Sequence, residues 1–251
     1  MSLEKYLDLA VNASIKAGDY LKERKDISVD SDEGKDIKLA ADRHSEAMII
    51  DSLSSSGIPV LGEEGGYIGD SSDRFWVIDP LDGTMNYLKG LDDFTCVSIA
   101  LWDNGEPVLG VINRFRSGEI FTGILGGEAK LNGDPIKPSG IKEVGKAVMA
   151  TGFPPHRDYS EESLKGYIRQ VQSFKKVRML ASGALQAVFV ACGRIDAYFE
   201  DLIMLWDIAA AMAIVKAAGG VVHYEPLDDH KCIFRCFATQ ELMEDFNAKG
   251  L

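Results

Sequence analysis

The sequence predicts a layered α/β (α+β) protein, with two leading helices, then an antiparallel meander, then a half in which strands and helices alternate. Three observations carry that expectation. Apolar residues recur at helical spacing over the first 22 positions, short β-rich runs separated by Gly, Asp and Asn fill 59–133, and the two patterns interleave from 147 to 238. The 251 residues are 46% hydrophobic and 26% charged, with 25 Gly against 8 Pro, a globular composition. At this length folding buries roughly 70–75% of the extended-chain surface, so one large domain or two closely joined ones need no staples.

Leu3, Tyr6, Leu7, Ala10, Ala13, Ala17, Tyr20 and Leu21 define the first helix. Residues 27–38, rich in Asp and carrying Gly34, read as a mobile loop or a frayed strand pair. A second helix starts near Asp42, with Ala47, Ile50 and Leu53 on one face and Gly57 at its end. Strands are expected at 59–61, 75–78, 96–101, 107–112, 119–124 and 129–133, with a hairpin turn at Asp103-Asn104-Gly105. Pro138-Ser139-Gly140 is the best boundary, dividing the chain into 1–139 and 140–251. Beyond it come a strand (147–151), a helix (162–175), a short strand (177–179), an apolar helix (183–192), a strand (195–199), a helix (207–218) closed by Gly219-Gly220, and strands at 221–224 and 233–238.

The net charge of −12 repels a phosphate backbone, so no nucleic-acid partner is expected, and an anionic substrate would need a cation in the site, bound metal first. No run of ~18 apolar residues exists, so no membrane span is expected. The N-terminus, MSLEKYLDLA, has no signal-peptide core, and a cytoplasmic protein follows as the expectation. Cys232 and Cys236 with His230 could be half a zinc site, but no second ligand pair completes it; free thiols are the simpler reading.

The most informative run is Trp76-Val77-Ile78-Asp79-Pro80-Leu81-Asp82-Gly83-Thr84-Met85-Asn86. Two carboxylates leave an apolar strand where Pro80 forces a turn, Gly83 admits close approach of a ligand, and Thr84 can cap a helix. Hard cations want the carboxylates, and phosphate oxygens want the free N–H groups. A solvated Asx turn is the alternative. Glu63 and Glu64 end another apolar strand, and Asp207 begins a helix, where ordinary N-capping is the alternative. A carboxylate-rich set in a chain with 4 His selects Mg2+ or Mn2+.

G-E-E at 62–64, W-V-I-D-P-L-D-G-T-x-N at 76–86 and W-D at 206–207, followed by a small-residue helix and G-G, resemble the inositol monophosphatase family nearly end to end. This family comprises Mg2+-dependent, lithium-sensitive phosphatases related to fructose-1,6-bisphosphatase and the 3′(2′),5′-bisphosphate nucleotidases. Leu39-Ala40-Ala41-Asp42 sits where the family has T-x-x-D, Thr151-Gly152-Phe153-Pro154 resembles its T-G-F-P, and 193–200 is similar to the segment that reaches the sugar ring. The resemblance implies a layered αβαβα sandwich of the sugar-phosphatase type. It implies that Glu63, Asp79 and the Leu81 carbonyl hold a first Mg2+, and that Asp79 bridges to a second completed by Asp82 and Asp207. A third ion would lean on Glu63, and Mn2+ is a possible substitute. Gly83 and Thr84 N–H groups would bind phosphate, and Asp42 with the Thr84 hydroxyl would activate water alongside Glu63. Asp82, Asp207 and Glu200 would meet the substrate, with Ala181 and Gly183 leaving room for a ring. A homodimer is implied as well.

Met85, Tyr87 and Leu39 depart from the family's usual Thr, Phe and Thr; the last bears on water activation. A haloacid-dehalogenase-type route fails because Pro80 stands where its nucleophilic Asp would be. Inositol monophosphate or a related sugar phosphate is the expected substrate. Fructose 1,6-bisphosphate, alone or as a dual activity, and bisphosphate nucleotides remain open. The bisphosphate would need a basic site: Arg157, His156, Arg169 and Arg178 are available, though exposed salt bridges account for them equally. A metal-binding regulator or scaffold without turnover is the reading from another class.

Overall fold

The computed structural model describes residues 1–24, 27–33, 36–153, 157–228 and 230–250; Gly34, Pro154 and His156 lie outside them. Helix α1 (Leu3–Lys22) forms because Tyr6, Ala10, Ala13, Ala17 and Leu21 fall on one stripe, and all are buried. The next segment is an antiparallel hairpin of β1 (Val29–Glu33) and β2 (Asp36–Leu39). Helix α2 (Ala40–Leu53) follows, and Gly57 closes its end at φ 66°. Its inward face differs from the Ala47-Ile50-Leu53 stripe the spacing suggests. Ala47 is exposed, whereas Ala41, Asp42, Ser45, Glu46, Ile49 and Leu53 are buried. Three polar side chains are thereby turned inward, which a helix bordering a polar site tolerates and a plain core helix does not.

The first sheet contains β3 (Val60–Gly62), β4 (Gly66–Ile68), β5 (Arg74–Asp82), β6 (Cys96–Asp103), β7 (Glu106–Arg114), β8 (Glu119–Ile124), β9 (Ala129–Leu131) and β10 (Asp134–Pro135), in the order β10-β9-β8-β7-β6-β5-β3-β4. From β5 to β10 it is the expected antiparallel meander. β3, however, runs parallel to β5, with Gly62 opposite Ile78. That register delivers Glu63 beside Asp79 at the common end of the two strands.

Helix α3 (Thr84–Lys89) follows β5. The second sheet contains β11 (Val148–Thr151), β12 (Lys176–Arg178), β13 (Ala197–Met204), β14 (Val221–Pro226) and β15 (Lys231–Phe237), in the order β12-β11-β13-β15-β14. β11 is parallel to both neighbours and the other pairings are antiparallel. Its helices are α4 (Glu161–Ser173), α5 (Gly183–Ala191), α6 (Leu205–Ala217) and α7 (Gln240–Ala248). α7 is additional to the elements read from sequence; it buries Leu242 and Phe246.

The layers alternate as αβαβα. α1 and α2 cover Trp76, Ile78, Val97, Ile99 and Leu101, while Val77, Cys96, Ala100 and Trp102, on the opposite face of β5 and β6, share a core with α5 and α6. α6 lies so close on β7 that a Cβ at Gly110 would stand 2.2 Å from the Ala210 carbonyl oxygen. On the far side of the second sheet, Phe199 and Phe237 meet Phe174 and Phe246. The first sheet ends at Pro135 and the second begins at Val148, but α5 and α6 between them give both halves one core.

Candidate active site

At the end of β5 the register to β6 breaks between Asp79, opposite Ser98, and Asp82, opposite Cys96, because Pro80 cannot donate to the ladder. Ser45 on α2 braces the turn, its hydroxyl donating to the Pro80 carbonyl at 2.9 Å. An Asx-type contact is present, Asp79 Oδ1 accepting the Leu81 N–H at 3.0 Å, but the turn is buried rather than solvated: Asp79 is 1% exposed and Asp82 7%. Asp82 faces α5. Its oxygens accept the Ser182 hydroxyl, the Gly183 N–H at 3.1 Å and the Ala184 N–H at 2.9 Å. Gly83, at φ 87°, is the residue before α3, in place of the Thr84 cap that the sequence suggests. Any Cβ there would meet the Phe94 carbonyl at 2.6 Å. The Thr84 hydroxyl lies instead between Asp42 Oδ1, at 3.3 Å, and the Leu81 carbonyl, at 3.1 Å.

Asp42 and Asp207 each stand third in their helices, and Asp42 accepts the N–H of Leu39, the residue before α2, at 2.6 Å. Asp207 therefore does not cap α6, which starts two residues earlier. Glu63, half-buried, follows β3 where the parallel register to β5 sets it beside Asp79. Glu200 on β13 accepts the Tyr198 hydroxyl at 2.9 Å and lies over Gly152, where a Cβ would crowd its carboxyl at 2.5 Å. At Gly183 the missing side chain gives its space to Ile203 and Asp207, whose nearest atoms would stand 2.9 and 3.2 Å from a Cβ. Ala181 is exposed at φ 53°, and its carbonyl accepts the Asn86 amide at 3.2 Å.

Burial and then mutual repulsion drive these carboxyls upward. Asp42 is pushed to about 7, with Glu64 adding to burial, and Glu63 to about 8, with Asp42 and Glu64 adding. Asp79 rises well above the carboxylate range through burial, then Glu63, Asp82 and Asp207. Asp207 does so through burial, then Asp82, Glu63 and Glu200. Burial raises Asp82 too, against the pull of its α5 donors. Burial takes Glu200 to about 7. Among the described residues no Lys, Arg or His pairs with Glu63, Asp79, Asp82 or Asp207; nearby Lys38 pairs with Glu64 at 3.1 Å. A group of buried and half-buried oxygen ligands this short of positive charge suits a hard dication. No three His, Cys, Asp or Glu side chains among the described residues form a ready-made cage. Asp82 is turned onto α5 and the Leu81 carbonyl onto Thr84, so a cation would draw these arms from internal partners.

The model of the inositol monophosphatase family matches residues 2–225. The chain belongs to that family. It is 36% identical over 233 residues to Nus factor SuhB of Pseudomonas aeruginosa, covering 88% of this chain and 85% of that one. It is 36% identical over 190 residues to fructose-1,6-bisphosphatase/inositol-1-monophosphatase of Thermotoga maritima, covering 75% and 71%. The solved inositol monophosphatase of Anabaena superimposes with a TM-score of 0.85 at 31% identity, covering 100% of this chain and 97% of that one. The protein is thus a phosphoric monoester hydrolase of a metal-dependent family acting on small phosphate esters.

Against the inositol monophosphatase pattern, the Leu39 departure loses little that holds Asp42, because the contact comes from the backbone N–H, which any non-proline residue supplies. The Tyr87 hydroxyl, where Phe is common, finds the Leu21 carbonyl at 2.8 Å. Two contributors escape the sequence reading. Glu46 is 4% exposed and accepts the Glu64 N–H at 2.9 Å and the Gly65 N–H at 2.7 Å, fixing the loop that carries Glu63. A Cβ at Gly62 would stand 2.4 Å from that carboxylate and would push it from its present place. Asn86 ties α3 to the Leu180 carbonyl at 2.7 Å and the Phe94 carbonyl at 3.0 Å. Glu46 stands four residues after Asp42, the spacing that shares a helix face, and that was the available signal. Cys96, Cys232 and Cys236 are buried free thiols and Cys192 is half-buried; no zinc-type cluster forms among the described residues. None of their helices is long and apolar enough to cross a membrane.

Proposed function

We propose that the protein hydrolyses inositol monophosphate or a related sugar phosphate. The supporting observation is the group of buried Asp79 and Asp82 with half-buried Glu63 and Asp207, none with a cationic partner among the described residues. These side chains and the Leu81 carbonyl would hold two or three Mg2+ ions, or Mn2+ in their place, which would supply positive charge to the phosphoryl oxygens. Asp42, poised near neutrality by burial, takes the proton of the attacking water, which the Thr84 hydroxyl beside it orients. The Gly83 and Thr84 N–H groups hold the phosphate, and Asp82 and Glu200 meet substrate hydroxyls beside Ala181 and Gly183. Residues 1–139 then bring most of the cation ligands and 140–251 bring Asp207 and the substrate wall. Lithium sensitivity, a homodimer and a cytoplasmic location belong to the same reading.

A fructose-1,6-bisphosphatase activity alongside is a second reading, favoured by the name of the Thermotoga relative. The test is phosphate release from inositol 1-phosphate, fructose 1,6-bisphosphate and 3′-phosphoadenosine 5′-phosphate, with Mg2+ and with chelator. Hydrolysis of the first, lost on chelation, is expected. Cleavage of the nucleotide about a hundredfold better overturns the substrate class. No turnover of any monoester with Mg2+ binding intact favours a metal-binding regulator or scaffold without turnover.

A further inference from the structure

Strand β13 carries Tyr198 and Glu200 two residues apart, so both side chains leave the same face of the second sheet, while Phe199 between them joins the aromatic layer on the other face. Tyr198 is fully buried and Glu200 half-buried. The Tyr198 hydroxyl donates to Glu200 Oε2 at 2.9 Å, the one hydrogen bond that this carboxyl receives among the described residues. Arg157 acts on Glu200 through its charge, but its guanidinium stands 3.8 Å from Asp201. The other support is a missing side chain. Thr151 on β11 lies opposite Phe199, and Gly152 follows it, so both Glu200 oxygens rest where a Gly152 Cβ would be, 2.5 and 2.7 Å away. Beyond Glu200 the pairing of β13 with β15 slips between Asp201 and Ile203, with Leu202 at φ 63°. That bulge turns Ile203 inward against Gly183, so the regular alternation ends at Glu200. Burial drives the Glu200 carboxyl upward, and the Tyr198 hydrogen bond is the foremost pull the other way. Burial and then the charge of Glu200 hold the phenol in its protonated form, so it stays the donor. A carboxylate offers about four acceptor positions, and the phenol occupies one. Holding a long side chain still before substrate arrives removes an ordering cost that binding would otherwise carry.

We propose that Tyr198 is a positioning residue for the alcohol portion of the substrate: its hydroxyl fixes Glu200 so that the remaining acceptor positions meet hydroxyls of a sugar or polyol. The preference for hydroxyl-bearing phosphates then depends on a side chain that does not touch the substrate. This rests on the reading of Glu200 given above and deepens it.

The experiment compares kcat/KM for inositol 1-phosphate with that for p-nitrophenyl phosphate, whose leaving group bears no further hydroxyl, in the Mg2+-loaded full chain. Tyr198→Phe lowers the inositol-to-nitrophenyl ratio about tenfold, through KM of inositol 1-phosphate rather than through kcat. Gly152→Ala displaces the same carboxyl from its other side and lowers the ratio likewise, so the test does not depend on how Tyr198→Phe folds, which a thermal melt reports. Glu200→Ala lowers the ratio at least as far, and adding Tyr198→Phe to it lowers the ratio no further. Equal losses on both substrates, a ratio unmoved by Tyr198→Phe in folded protein, or a further loss in the double variant overturns the positioning role and leaves the phosphatase reading standing. A wild type without preference for inositol 1-phosphate, or a Glu200→Ala variant with the wild-type ratio, removes Glu200 from the substrate contacts and the proposal with it. A wild type that cleaves neither phosphate overturns the proposed function itself.

Discussion

The Asp82 carboxylate accepts the Ala184 N–H at 2.9 Å, so a proposed cation ligand at the end of the first sheet also caps a helix 102 residues later. The Gly183 N–H and the Ser182 hydroxyl join it. Asp82 thus binds the two halves together at the point where the site is built. Asp82→Asn places an amide where donors already converge, and two donors facing each other repel. We expect turnover to fall about a hundredfold or more and stability to drop by about 1–3 kcal/mol, the scale of a charge-assisted hydrogen bond left unmade. For a chain of this size that is roughly 2–4 °C of Tm per kcal/mol. Steady-state kinetics with Mg2+ and a thermal melt check both; near-full rate in the variant refutes the assignment of Asp82.

Thr84→Ala removes the hydroxyl between Asp42 Oδ1 and the Leu81 carbonyl. On the proposal that this hydroxyl orients water rather than substrate, kcat should fall about a hundredfold with KM little changed, and Thr84→Ser should recover most of it. A change confined to KM would assign the hydroxyl to substrate binding instead.

The legible part of the fold was whatever a local rule dictates. Pro80 cannot donate to a ladder, so a break between Asp79 and Asp82 was readable from spacing, although it is a bulge within β5 and not the turn expected; the meander was readable from its β-rich runs. The parallel seating of β3 on β5, which puts Glu63 beside Asp79, has no local signature: it is set by the sheet's strand order. Glu46 looked like any helix-surface carboxylate until the Gly62–Gly65 loop closed over it.

Glu46 touches no proposed cation position, yet its two oxygens hold the Glu64 and Gly65 N–H groups. Glu46→Gln turns a donor toward donors and loosens the loop behind Glu63. Groups that orient a ligand from behind typically control about 10–100-fold in cation affinity, and a loss of that size is expected in the Mg2+ activation constant, with kcat at saturating Mg2+ largely restored. Calorimetric titration with Mg2+ gives the same loss without relying on turnover. Unchanged Mg2+ affinity would mean that Glu63 is positioned by β3 alone.

Without a divalent cation the protein should lose stability as pH rises. Burial, with repulsion from neighbouring carboxylates, holds the Glu63 carboxyl at about 8 and Asp42 at about 7, above ordinary values of 4.5 and 3.8. Where the folded-state value exceeds the unfolded one, the folded chain keeps a proton that the unfolded chain has released. The stabilisation is fully present below about pH 4 and is lost as pH climbs through about 8. Glu119 runs the other way: its hydrogen bond from Arg194 lowers it to about 2, so its contribution fades only in acid, below this window. The proposed Mg2+ needs deprotonated carboxylates, so its stabilising effect should grow over the range in which the chelated protein weakens. Melts from about pH 5 to about pH 8, with chelator and with saturating Mg2+, should show a falling Tm in the first series and a widening gap to the second. A chelated Tm that climbs over that interval, with a constant gap, would mean that these carboxyls are already ionised in the folded protein and offset by a cation other than the one proposed.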